Sequence, residues 1–269
     1  MNALVKAVDE FGFHDTPLSR TGTCATHGAF ESRCRFRDAW SGCQACVTER
    51  KGAEVAQEAA KAKAAEVERW QRRIGTAGIP PRFKDRTLDS FIASTEPQRK
   101  ALAFALQYAD DFDGVMQTGR SALFVGKPGT GKTHLAVGIA LEVMQRWDSS
   151  ALFITTMRAL RRVKETWTRG SEESESEAIG ALVYPDLLIL DEVGVQFGSE
   201  TEKHLLFDVL NERYEQRKPS LLLSNLTSTE VSGYLGERIF DRLREDGGVD
   251  VVFDWASHRG KSGAGRRLD

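Results

Sequence analysis
Past residue 120 the chain alternates between short apolar runs and longer stretches that mix apolar and polar positions. Residues 121–125, 151–154, 185–190 and 219–223 are apolar or nearly so over strand length. Runs of that kind suit the interior of a parallel sheet covered on both faces. Residues 134–144 place apolar side chains at helical spacing directly after the first run. The N-terminal quarter differs. Residues 47–72 are rich in Ala, Glu, Lys, Arg and Gln, with a single glycine and no proline, so a helix is predicted there. Its apolar stripe is only Ala and Val until Trp70, which reads either as a solvated spacer or as a partner-binding helix. The helix should stop near Gly75 to Gly78, because Ile79-Pro80-Pro81 forces an extended chain. The expected organisation is therefore residues 1–46, a helical linker over 47–78, and an α/β domain over 79–269.

Composition narrows the classes. The 269 residues carry 37 basic and 39 acidic side chains, a net charge of −2, so only local clusters can speak to nucleic acid. Hydrophobic residues at 41% suffice for a packed core and exclude a wholly disordered chain. No apolar run approaches the ~20 residues that span a bilayer, and the first residues lack a secretory apolar region, so a cytoplasmic protein without a membrane partner is expected.

All four cysteines fall between Cys24 and Cys46. With no export signal, metal binding is a better reading than disulfides. Cys24-Ala-Thr-His27 and Cys43-Gln-Ala-Cys46 are two knuckles separated by 15 residues. A two-residue spacer lets both side chains of a tight turn face one ion, so Zn²⁺ is expected on Cys24, His27, Cys43 and Cys46. Cys34 could replace His27; His27 is preferred because both pairs then share one spacing. Gly28 and Gly42 can supply the left-handed φ such turns need, and Phe30, Phe36 and Trp40 are candidates for a minimal core.

The first apolar run leads into Gly126-Lys-Pro128-Gly129-Thr130-Gly131-Lys132-Thr133, followed by His134 and the helical pattern. This is a Walker A sequence in its strand–loop–helix context. Glycines let several backbone N–H groups face one phosphate, and the helix N-terminus adds its positive end. Lys132 is expected on the β/γ-phosphates of ATP and Thr133 on Mg²⁺. The third run ends in Asp191-Glu192, a Walker B sequence, with Asp191 on Mg²⁺ and Glu192 as general base toward water. The fourth ends in Asn225, which could orient that water or serve only as a turn residue.

Together with Gly236-Glu237-Arg238-Ile-Phe-Asp241-Arg242-Leu243 and Trp255-Ala-Ser-His-Arg259, these motifs make the chain resemble AAA+ ATPases, and among them the DnaC-type replicative helicase loaders, over roughly residues 79–260. The resemblance implies an α/β AAA+ P-loop core of parallel sheet flanked by helices, beside a small zinc-binding domain and helical linker. It implies that Arg242 is an arginine finger for a neighbouring subunit, with Arg238 one helical turn earlier, that Arg259 senses the nucleotide, and that Asn225 is the polar sensor. It further implies weak ATPase activity alone, self-association into a spiral or ring on a hexameric DnaB-type helicase, and single-stranded DNA along the helix that bears Arg158, Arg161, Arg162 and Lys164. The acidic run 171–177 reads as a mobile loop that the basic face should avoid. An IstB-type transposase helper shares the same core and is the second expectation. A non-catalytic zinc adaptor is the third.

Overall fold
The computed structural model describes residues 13–195 and 199–258. They divide into two compact units, Met1–Gln71 and Arg72–Asp269. Among the described residues, no helix is long and apolar enough to cross a membrane.

The first unit opens with an antiparallel hairpin, β1 (Phe13–Cys24) and β2 (Gly28–Phe36). Gly28 takes the left-handed turn position at φ 73°, whereas Gly42 has no positive φ. Trp40 lies under the Arg20 guanidinium at 4.1 Å, and Phe30 packs over Gly22. Phe36 does not join a core; it is 38% exposed. Helix α1 (Gln44–Thr76) follows and runs across the division between the units. It begins three residues earlier than the composition suggested, because Cys43 accepts the first helical bond from Val47.

In the second unit the chain leaves α1 through Ile79-Pro80 and a single 3₁₀ turn, Pro81–Phe83. Helices α2 (Glu96–Asp110) and α3 (Phe112–Thr118) precede β3 (Ala122–Gly126) and α4 (Lys132–Arg146). There follow β4 (Ala151–Thr155), α5 (Thr156–Glu165), α6 (Glu175–Val183) and β5 (Leu187–Asp191). The unit ends with α7 (Glu200–Glu215), β6 (Ser220–Ser224), α8 (Ser228–Leu235), α9 (Glu237–Arg244) and β7 (Val249–Phe253).

The sheet is all parallel, in the order β4-β5-β6-β3-β7. Apolar runs on consecutive positions make sense here because both faces are covered. Leu123, Val125, Leu188, Leu190 and Leu222 meet α5, α6 and α7 on one face. On the other, Phe124 meets Phe104 of α2 edge-on and packs beside Phe253. Strand β6 lies between β3 and β5, so the residue after β6 stands between the phosphate loop and the acidic strand end.

Two features of the α5–α6 region depart from the sequence reading. The acidic run is not an open loop throughout: Ser174 and Glu177 form a reciprocal capping box that starts α6. Nor does it stand clear of the basic helix. Arg162 binds the Glu173 carboxylate through both Nε (3.2 Å) and Nη2 (2.6 Å).

Candidate nucleotide and metal sites
The phosphate loop is a set of tight backbone turns. Gly126 (φ 124°) and Gly131 (φ 103°) occupy conformations that side chains rarely adopt. A Cβ on Gly126 would stand 2.3 Å from the Phe253 carbonyl, and one on Gly131 would stand 2.6 Å from the Phe91 ring. The loop is strapped from below by the segment after β7. Lys127 N donates to Phe253 O (3.0 Å), Lys127 Nζ to Asp254 O (3.0 Å), His258 N to Gly129 O (2.9 Å), and Trp255 Nε1 to Thr130 O (2.9 Å). Pro128 stands exposed at the tip, and Thr130 is fully buried with its hydroxyl on Lys127 O.

Lys132 is buried, and its ammonium donates to Gly126 O (2.6 Å), Lys127 O (2.8 Å) and Asn225 Oδ1 (2.9 Å). Thr133 Oγ1 donates to Asp191 Oδ2 at 3.1 Å. Lys132, Thr133, Asp191 and Asn225, widely spaced in sequence, thus form one hydrogen-bonded group. Burial pushes the Asp191 carboxyl above its ordinary value, against the Glu192 backbone N–H, the Thr133 hydroxyl and the Lys132 charge, which lower it. A hydroxyl and a partly desolvated carboxylate side by side are oxygen donors of the kind Mg²⁺ takes, so these residues fit that ion.

Glu192 is exposed and sits at φ 63°, a left-handed position uncommon for a residue with a side chain. Its N–H bonds Asp191 Oδ1 (2.8 Å), and Val193 N bonds Leu223 O (2.9 Å), so the turn is pinned on both sides. Backbone strain held in place by neighbours clusters at functional sites. His134 faces the lead-in segment: its Nε2 lies 2.9 Å from Thr87 O and 3.0 Å from Ser90 Oγ, with Phe91 edge-on to its ring.

The remaining arginines lie elsewhere. On α9, Arg238 stands over Phe207 at 5.6 Å and Arg242 over Tyr214 at 4.7 Å, so both rest on aromatic rings of α7. Arg242 Nη1 is buried without a hydrogen-bond partner. Arg259 lies outside the described residues. On α5, Arg158 and Arg161 are exposed, Arg162 pairs with Glu173, and Lys164 pairs with Glu202 at 2.6 Å. A cavity of about 290 Å³ beside them is lined by Met157, Leu160, Arg161, Lys164, Thr168 and Glu202, among others.

In the first unit, Cys24, His27, Cys43 and Cys46 bring one donor atom each within 4.8 Å of all the others. The contacts run from 3.3 Å (His27 Nδ1 to Cys46 Sγ) to 3.8 Å (His27 Nδ1 to Cys24 Sγ), with 3.4 Å between the Cys24 and Cys46 sulfurs. Tetrahedral zinc bonds of about 2.3 Å to sulfur and 2.0–2.1 Å to nitrogen imply donor separations of about 3.5–3.8 Å, so the set fits zinc. Cys34 is not part of it. It is fully buried and its thiol points to the Arg37 carbonyl (2.8 Å), whereas His27 lies among the other three cysteines. The hydrogen bond between the Cys24 and Cys46 sulfurs pushes the Cys46 thiol up to about 11. His27 offers Nδ1 to the cluster while Nε2 lies 3.0 Å from Glu49 Oε1. Sequence reasoning missed Glu49, although Cys46 and Glu49 share a helix face three residues apart.

Residues 62–246 match the family described as IstB-like ATP binding protein. Over 193 residues the chain is 36% identical to the replicative helicase loader DnaC of Escherichia coli K12, covering 72% of this chain and 77% of that protein. It is 31% identical over 191 residues to DnaC of Buchnera aphidicola subsp. Acyrthosiphon pisum, covering 71% and 76%. A crystal structure of the DnaC helicase loader superposes with a TM-score of 0.59 at 22% identity, covering 65% of this chain and all of that one. At that identity the likeness establishes the fold alone, the parallel sheet flanked by helices described above.

Proposed function
The chain belongs to the IstB-like ATP-binding proteins, and from that membership we propose that it is an ATP-dependent loader that delivers a hexameric DnaB-type replicative helicase onto single-stranded DNA. The observation that carries the reading is the coincidence of two things in one stretch of chain. The chain is similar to replicative helicase loaders over about three quarters of their length, and within the family match over residues 62–246 Lys132, Thr133, Asp191 and Asn225 are joined by hydrogen bonds around the phosphate loop.

In this reading the loop N–H groups from Gly126 to Thr133 and the start of α4 receive the phosphates of ATP. Lys132 exchanges its carbonyl acceptors for phosphate oxygen. Thr133 and Asp191 would hold Mg²⁺, which supplies positive charge to the phosphates. Glu192 takes the proton of the attacking water, and Asn225 fixes Lys132 between loop and acid. Arg242, with Arg238, leaves its aromatic seat to reach the phosphates held by an adjoining protomer, and Arg259 responds to the nucleotide within its own. A site shared in this way makes hydrolysis slow in the lone protein and faster in a spiral or ring on the helicase. Cys24, His27, Cys43 and Cys46 would hold Zn²⁺, which would supply the cross-link that residues 1–46, a segment too small to hold a core by itself, need. Those residues and the 47–78 helix grip the helicase, residues 79–269 do the ATP work, and Arg158, Arg161 and Arg162 attract DNA phosphates.

The family is described as IstB-like, and an IstB-type transposase helper is the second reading, so capture on immobilised partner separates the two. Retention of a replicative helicase hexamer in the presence of ATP, with no retention of a transposase, is expected. The reverse result overturns the loader reading in favour of the helper.

A further inference from the structure
The basic face of α5 is already engaged by anions belonging to this chain. Arg162 makes a two-point contact with Glu173, the geometry a guanidinium uses equally for carboxylate and phosphate. Two residues after Glu173 the same segment holds the neighbouring aromatic, for the half-exposed Trp167 donates its indole N–H to Glu175 Oε2 at 2.6 Å. We infer that residues 171–177 are a built-in competitor for single-stranded DNA, with Glu173 standing where a backbone phosphate would bind Arg162 and Glu175 holding Trp167 away from an incoming base.

Three features make exchange feasible. The Arg162 and Glu173 side chains are 42% and 35% exposed, so the pair is partly solvated and weak enough to be traded for phosphate. Glu173 is joined to the basic helix through Gly170, which has φ 92° and nothing within 4 Å of where a Cβ would be, so the segment can swing there. The capping box of Ser174 and Glu177 keeps the α6 backbone in place while residues 171–173 move and the Glu175 side chain, at the first position of α6, turns away from Trp167. Lys164 is different: Glu202 is 14% exposed and also accepts from the Ser199 N–H, so that pair is a fixed tie between α5 and α7. Competition therefore centres on Arg162 and Trp167.

The inference rests on the DNA-binding reading above, and its test separates the two. Anisotropy of a labelled oligothymidylate is measured with the full chain and ATP across a salt series. The Glu173→Gln/Glu175→Gln protein should bind about threefold to fivefold more tightly at low salt. Its log–log salt dependence should steepen by about 0.7, because Arg162 now releases a counterion instead of a carboxylate. In an Arg162→Gln background the Glu173→Gln change alone should gain nothing, and only the part owed to Glu175 and Trp167 should remain. An unchanged affinity and slope, or an equal gain without Arg162, would overturn the competition while leaving DNA binding intact. Absence of salt-dependent binding by either protein would overturn both.

Discussion
The proton on His27 is placed by Glu49. With Nδ1 turned into the sulfur cluster, Nε2 carries the hydrogen and donates it to the carboxylate at 3.0 Å. Such outer contacts fix the ring and raise its strength as a ligand, and their loss typically weakens metal binding about 10- to 100-fold. Glu49→Gln should thus lower zinc affinity by about that factor in competition with a chromophoric chelator, and Cys34→Ser should leave it unchanged. Equal loss in both would mean that the segment is merely destabilised. The four donors were legible in the sequence because a two-residue spacer is a local rule. Glu49 was not, because its role depends on α1 starting at Gln44 and turning that residue toward the hairpin.

At the scale of elements, the strands and the phosphate loop were readable for a related reason: burial on both faces leaves no polar alternation, and glycine spacing encodes the loop. What the chain does not advertise is the tie between α7 and the sheet. Arg213 is fully buried on α7 and donates to the carbonyls of Leu182, Val183, Pro185, Asp186 and Pro219 and to Ser220 Oγ. These carbonyls cap the end of α6 and the turns that lead into β5 and β6. Burial pulls the guanidinium down to about 9. In sequence Arg213 looks like any charged residue of a solvated helix. Arg213→Leu would strand those carbonyls without donors, so about 3–5 kcal/mol of stability should be lost in urea unfolding of the second unit. A loss under 1 kcal/mol would show that water replaces the donors. The acidic run misled for the opposite reason. Its composition says solvated loop, but Ser174 and Glu177 at a three-residue spacing start a helix, and Glu173 then lies within reach of α5.

For the whole molecule, the sequence conveyed a phosphate-loop protein similar to helicase loaders and a cysteine-rich appendage, since both rest on short motifs with fixed spacing. It could not convey that Arg242 rests on Tyr214 with Nη1 buried and unpartnered. A donor left unmatched in the single chain is a cost that a phosphate on an adjoining protomer would remove. The account therefore makes assembly, nucleotide and helicase delivery parts of one event. The direct measurement is the transfer of a replicative helicase hexamer onto single-stranded DNA circles, counted as circles bearing helicase. Wild-type protein with ATP should load most circles, while Arg242→Ala should still bind ATP and helicase yet load few. Equal loading by both proteins, or loading that is indifferent to ATP, would contradict it.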